Sequence, residues 1–158
     1  MKQTLMMISC ALLLAAGMQS CKKDDKKNNS SGNPPSTTTD NFQVTVNGVN
    51  YDPSTIDVQE VGGVIACNAT VNSTTNFAIY TDDLIQPGTY PIDGNTQFDV
   101  IHSDDNNATF YASTAGTVTI ITHDTVANTM SGTFSCTLTR SSPAGTKTAT
   151  NGVFSFSY

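Results

Sequence analysis

From Phe42 to the last residue, apolar and polar side chains alternate in short runs that are separated by clusters of turn-forming residues. Phe42, Val44 and Val46 alternate with polar neighbours, and Asn47-Gly48 follows as a hairpin signal because both residues tolerate positive φ. Alternation with period two places one set of side chains on one face of a strand. Since no long helix-period pattern follows residue 20, the chain is predicted to carry an all-β domain.

The number and spacing of these runs indicate which all-β architectures to expect. They recur at roughly 8–12 residues, which is typical of sandwiches and barrels. Threonine, with 25 copies in 158 residues, favours pleated, half-buried surfaces. We therefore expect residues 41–158 to form an antiparallel β-sandwich or a partly closed barrel of about 8–10 short strands. This number of strands is larger than a single small open sheet usually contains.

The first 20 residues have the pattern of a signal peptide. Lys2 precedes an apolar run from Leu5 to Met18, which is too short for a stable membrane-spanning helix. The stretch from Leu14 to Cys21 resembles a lipobox, in which small Ser20 precedes a lipidated cysteine. Cys10 lies inside the apolar run and is the poorer candidate. The resemblance implies a membrane partner, reached through acyl chains on Cys21.

Residues 21–40 are predicted to be a lipidated cysteine followed by a flexible linker. Lys23-Asp24-Asp25 resembles the sorting signal that sends Bacteroidota lipoproteins to the outer face of the outer membrane. The alternative is a solvated, charged tether on a lipoprotein that faces the periplasm. Asn, Ser, Thr, Pro and Gly dominate residues 28–40, a composition typical of a disordered linker.

The charge of the domain excludes one class of partner. From residue 41 onward, Arg140 and Lys147 are the only basic residues against ten acidic ones, which gives a net charge of −8. Such a surface repels phosphate backbones, so no nucleic-acid partner is expected.

Glycines and aromatic residues recur in an order that resembles a known family. The order is Phe42-x-Val44-x-Val46-Asn47-Gly48, Gly88-Thr89-Tyr90, Gly116-x-Val118-x-Ile120, Ser131-Gly132-Thr133-Phe134 and Thr150-Asn151-Gly152-x-Phe154. It is similar to a Bacteroidota cell-surface lipoprotein family known only as a domain of unknown function. The resemblance covers nearly the whole domain. It implies a β fold and a location on the cell surface, but it points to no active-site residues.

Few residues of the domain are suited to catalysis or metal binding. His102 and His123 are the only histidines, and each is followed closely by aspartates. They could together form a metal or general-base site, but we interpret them as polar residues beside turns. The acidic stretches Asp82-Asp83 and Asp104-Asp105-Asn106-Asn107 offer oxygen ligands suited to calcium, but neither has the spacing of a helix–loop–helix calcium site. We therefore expect no catalytic residue, metal or cofactor, and predict that the chain is not an enzyme.

Besides Cys21, two cysteines and one threonine are candidates for covalent modification. Cys67 and Cys136 fall on apolar strand faces and should both be buried. Export through an oxidising compartment permits a disulfide between them if their Cα atoms lie within about 7 Å, and separate thiols are the alternative. Asp124-Thr125-Val126 resembles the O-glycosylation sequon of exported Bacteroidota proteins, which makes Thr125 a candidate acceptor.

Two classes of function remain. The β domain acts either as a non-catalytic binding or accessory module for a glycan or protein ligand, or as a structural envelope or adhesion component without a small-molecule ligand. Exposed tyrosines on one face would favour glycan binding, whereas an open apolar edge strand would favour assembly. The tyrosines in question are Tyr51, Tyr80, Tyr90 and Tyr111.

Overall fold

The computed structural model describes residues 40–94, 97–104 and 109–158, and the regular structure in these ranges consists of β-strands. No helix in these ranges is long and apolar enough to cross a bilayer. The predicted signal peptide, and the predicted linker except Asp40, lie outside the described residues. The strands are β1 (Asn41–Val46), β2 (Val49–Tyr51), β3 (Thr55–Val61), β4 (Val64–Thr70), β5 (Asn76–Asp82), β6 (Gly88–Ile92), β7 (Phe98–Ser103), β8 (Tyr111–Asp124), β9 (Thr129–Ser141) and β10 (Ala144–Ser157).

The strands form one antiparallel sheet in the order β2-β1-β10-β9-β8-β7-β5-β4-β3, and β6 also pairs with β8. The sheet curls strongly into a half-barrel, which confirms the all-β prediction in its second form, the partly closed barrel. The short β2–β3 connection accounts for the curl. β2 and β3 are the two ends of the sheet, yet Tyr51 and Thr55 are four residues apart and can be separated by at most about 15 Å.

The inward faces of the strands supply the core, as their parity predicts. Parity assigns inward-facing sets to β1, β3, β4, β8, β9 and β10, and most of their members are buried. Ile56 and Val58 on the edge strand β3 are half-buried instead, as are Val71 and Tyr158 beside strand ends. The buried members of three of these sets are Ile65, Cys67 and Ala69 on β4; Phe134, Cys136 and Leu138 on β9; and Phe154 and Phe156 on β10.

Two glycines and two phenylalanines pack reciprocally between β9 and β10. The register pairs Gly132 with Phe154 and Phe134 with Gly152. A Cβ added at Gly132 would lie 2.5 Å from Phe154 Cζ, and one added at Gly152 would lie 2.6 Å from three ring carbons of Phe134. Each ring therefore occupies the space that a side chain on the opposing glycine would need, as in aromatic rescue of strand glycines.

The two cysteines of the domain are buried, as predicted, but are free thiols, which corrects the disulfide alternative. Cys67 lies on β4 and Cys136 on β9, and β5, β7 and β8 lie between these strands in the sheet. Burial raises the pKa of each thiol to about 12, and in Cys67 the nearby carboxylates of Asp40 and Asp57 add to the effect.

Candidate ligand-binding site

The outer face of β4, β5 and β7 carries a groove of about 360 Å³, which we call the aromatic groove. Its floor follows from the strand register, because Asn68, Ala78 and Ile101 form one row across the three strands. Tyr80 and Phe110 also line the groove, with 38% and 54% of their surfaces exposed. Exposed aromatic rings beside a concave, mostly apolar surface are typical of a ligand-binding site.

The lining of the aromatic groove combines apolar and polar uncharged side chains. Its polar lining residues are Asn68, Thr70 and Asn76, together with Ser103, which is buried. No charged side chain is among the described residues that line it. The groove can therefore offer hydrogen bonds and ring contacts, but no ion pair.

A second groove of about 260 Å³ adjoins the first, and Tyr80 lines both. We call it the acidic groove, because Asp82 and Asp99 line it. Asp82 Oδ1 accepts a hydrogen bond from the Leu84 backbone N–H (2.8 Å), which is the turn role expected for this acidic stretch. Asp99 lies opposite Tyr80 in the β5–β7 register and accepts a hydrogen bond from Ser113 Oγ (3.2 Å).

Only one of the four tyrosines singled out in the sequence lies in these grooves. Tyr51 packs against Phe77 at a ring distance of 5.4 Å, and the Tyr90 hydroxyl donates to the Gln86 carbonyl (2.8 Å). Tyr111 is buried, with Arg140 and Lys147 against its ring at 4.5 and 4.3 Å.

Sequence reasoning missed Phe110, Asn68 and Asn76. Strand alternation could have indicated Phe110. Its neighbour Tyr111 faces the core, so Phe110 faces outward.

Both histidines take part in packing and line neither groove. His102 is fully buried and stacks on Phe77 at 4.5 Å, and its Nε2 lies 3.2 Å from Nζ of Lys147, whose ammonium also contacts Asp104. His123 Nδ1 donates to the Ile85 carbonyl (2.6 Å), because a carbonyl can only accept. Its Nε2 is then free of a proton in the neutral ring and accepts from the Tyr158 hydroxyl (2.8 Å).

The structure describes only some of the acidic residues weighed as calcium ligands and of the predicted modification residues. Among the described residues, no group of three His, Cys, Asp or Glu side chains is arranged to hold a metal ion. Cys21, Lys23, Asp24 and Asp25 lie outside the described residues, as do residues 105–107 of the second acidic stretch.

Thr125 lies in the exposed turn between β8 and β9. The backbone N–H groups of Ala127 (2.8 Å) and Val126 (2.9 Å) donate to Asp124 Oδ1 and lower the pKa of this carboxyl group. Val126 is 94% exposed, so the whole Asp124-Thr125-Val126 sequon is accessible. Glycosylation of Thr125 stays a prediction.

The curled sheet and its outer grooves define a small antiparallel β domain of the half-barrel type, with a candidate ligand site on the sheet face. The chain belongs to the family described as a domain of unknown function, DUF6252, whose model matches residues 38–156. No curated protein and no solved structure matches the chain. The family match confirms the part of the resemblance that concerns a domain of unknown function.

Proposed function

We propose that this chain is a lipid-anchored, non-catalytic binding module that takes a glycan in its aromatic groove. The observation that carries the proposal is the pair of exposed rings, Tyr80 and Phe110, beside the amides of Asn68 and Asn76. Sugars present apolar C–H faces, which pack on aromatic rings, and hydroxyl groups, which hydrogen-bond with amides. A ligand site of this composition combines apolar contact with a few orienting polar groups.

The position of the groove in the sheet excludes one mode of protein recognition, β-strand addition. β5 forms the middle of the groove and is paired with β4 on one side and β7 on the other. A peptide cannot add to it as a further strand, because β-strand addition requires an unpaired edge. Recognition must therefore use side chains that project from the sheet face.

The β3 edge of the sheet gives less support to the alternative, a structural component that assembles through strand pairing. β3 ends the sheet, and Asp57 and Glu60 are exposed on it. Charged residues on an edge strand oppose pairing with another chain. The packing roles of His102 and His123 support the non-catalytic part of the proposal, since neither ring faces the groove.

A glycan array tests the site. The purified full chain in detergent should bind a subset of glycans, and Tyr80→Ala and Phe110→Ala should each weaken this binding at least tenfold. Ile121→Ala is the matched control, because Ile121 is 57% exposed and lies outside both grooves. Equal glycan binding by the wild type and both groove variants would refute the site.

The anchor is tested separately by metabolic labelling with a fatty acid. We propose that the lipid is on Cys21 and that the domain stands on the outer face of the outer membrane. Cys21→Ser should abolish the acyl label, whereas Cys10→Ser should retain it. Loss of the label in the Cys10 variant alone would move the lipid to the other cysteine.

A further inference from the structure

The two grooves follow each other along one strand. Outward-facing side chains alternate along β5 from Asn76 through Ala78 and Tyr80 to Asp82. The first three line the aromatic groove, the last two line the acidic groove, and Tyr80 is shared. Six residue steps in a strand span about 20 Å, which is far longer than a single monosaccharide.

The charges along this track are of one sign. Asp82 and Asp99 line the acidic groove, and no lysine or arginine is among the described residues lining either groove. Arg140 and Lys147, the two basic residues after residue 40, are engaged at Tyr111 instead. A uronate or sulfated sugar on the track would therefore meet carboxylates and find no cation.

Asp99 is the better placed of the two carboxylates to act on a ligand. It lies beside Tyr80 on the same sheet face, and the Ser113 hydroxyl orients it by donating to Oδ1. Ser113 Oγ in turn accepts the Val100 backbone N–H (3.0 Å), which fixes the hydroxyl. A carboxylate held in this way can accept hydrogen bonds from sugar hydroxyls next to the ring of Tyr80.

We infer that the aromatic and acidic grooves form one continuous track for an extended, uncharged or cationic oligosaccharide, and that Asp99 excludes acidic glycans from it. This inference rests on the proposed function and adds the length and charge class of the ligand. Tyr80 is the contact common to both halves of the track, so its ring supports the middle of the sugar chain.

Calorimetry of the full chain with defined oligosaccharides tests the track. The probes are neutral gluco-, manno- and xylo-oligosaccharides of one to six units, chitosan oligomers as the cationic series, and oligogalacturonates as the acidic series. Affinity for at least one neutral or cationic series should rise at least tenfold from the monosaccharide to the tetrasaccharide. Oligogalacturonates should not bind the wild type.

Asp99→Asn should permit measurable binding of oligogalacturonate, whereas Asp57→Asn, the same change of charge on β3 outside both grooves, should not. High salt should also relax the exclusion, because it screens the carboxylates. Two outcomes would overturn this inference but leave the proposed function standing. One is binding that depends on Tyr80 and Phe110 but not on the length of the oligosaccharide. The other is equal affinity for the acidic and the neutral series. Binding of an oligolysine peptide in place of every oligosaccharide would overturn both.

Discussion

At the scale of single residues, the two Gly-x-Phe sequences owe their spacing to contacts between neighbouring strands. In an antiparallel pair, a residue on one strand faces one residue on the other, so Gly132 and Phe134 can meet Phe154 and Gly152 only if both strands carry the same spacing. The ring-to-ring distance of 6.5 Å between Phe134 and Phe154 places both in one aromatic cluster.

Substitution of either glycine should therefore destabilise the domain by overpacking. Gly132→Ala and Gly152→Ala should each lower the free energy of unfolding by about 2–3 kcal/mol, measured by urea denaturation. Gly62→Ala is the control: its Cβ would meet no atom within 4 Å, and only its φ of +63° costs about 1 kcal/mol. A loss at Gly132 and Gly152 no larger than at Gly62 would contradict the reciprocal packing.

The buried cysteines make a second prediction at this scale. A thiol reacts as its thiolate, and a pKa of about 12 leaves almost none at pH 8 in the folded state. An aromatic disulfide reagent should therefore leave Cys67 and Cys136 unmodified in the native protein and label both after denaturation without a reductant. Absence of both thiols in the denatured, unreduced protein would instead reveal a disulfide.

At the scale of the strand, Tyr158 links the end of β10 to two other segments of the domain. Tyr158 follows β10, and its backbone N–H donates to the Asn128 carbonyl (2.9 Å). Its hydroxyl donates to His123, which is bonded in turn to Ile85 after β5. Burial raises the pKa of Tyr158, and the carboxylates of Asp83, Glu60 and Asp124 add to the shift.

Tyr158→Phe keeps the ring and removes this hydrogen bond, so it should lower the free energy of unfolding by about 1 kcal/mol at neutral pH. Because the folded state holds the phenolic proton more tightly than the unfolded state, this contribution should shrink as the pH rises above 10.0, the ordinary pKa of tyrosine. Denaturation of both proteins at neutral and alkaline pH measures it. A difference that grows with pH would exclude this account.

Local patterns predicted the strand faces correctly and some strand ends incorrectly. Residues 108–113 and 117–122 form two separate β-prone runs in the sequence, and a glycine such as Gly116 often marks a turn, but Tyr111–Asp124 is one strand. A Cβ on Gly116 would lie 2.2 Å from the Ser135 carbonyl oxygen, so the glycine permits a close approach of β9. The sequence pattern alone does not distinguish these two uses of glycine.

The candidate site was less predictable than the core for a related reason. Whether a side chain faces inward follows from parity within one strand, but a groove depends on which strands are neighbours. β5 pairs with β7 rather than β6, and this register brings Tyr80, Ala78 and Ile101 together. Pairing between strands that are not consecutive is a long-range property that local alternation does not contain.

At the scale of the whole molecule, the described domain and the N-terminal segment have separate proposed roles. The domain carries the aromatic and acidic grooves, which form the proposed binding face. Its net charge of −8 after residue 40 keeps it soluble and opposes self-association. Under the proposed function, the domain acts only where its ligand is found, so the proposed lipid on Cys21 and the proposed sorting sequence after it would set where it acts.

Surface display should depend on Lys23-Asp24-Asp25 rather than on charge in the tether generally. Replacing Asp24 and Asp25 with Ala should retain the acyl label, because Cys21 is unchanged, yet protect the domain from protease added to intact cells. The control replaces Lys26 and Lys27 with Ala, which also changes the charge by two but spares the sorting residues, and should leave the domain accessible. Equal cleavage of both variants and the wild type would show that the acidic pair does not sort the lipoprotein, whereas protection of the wild type would place it in the periplasm.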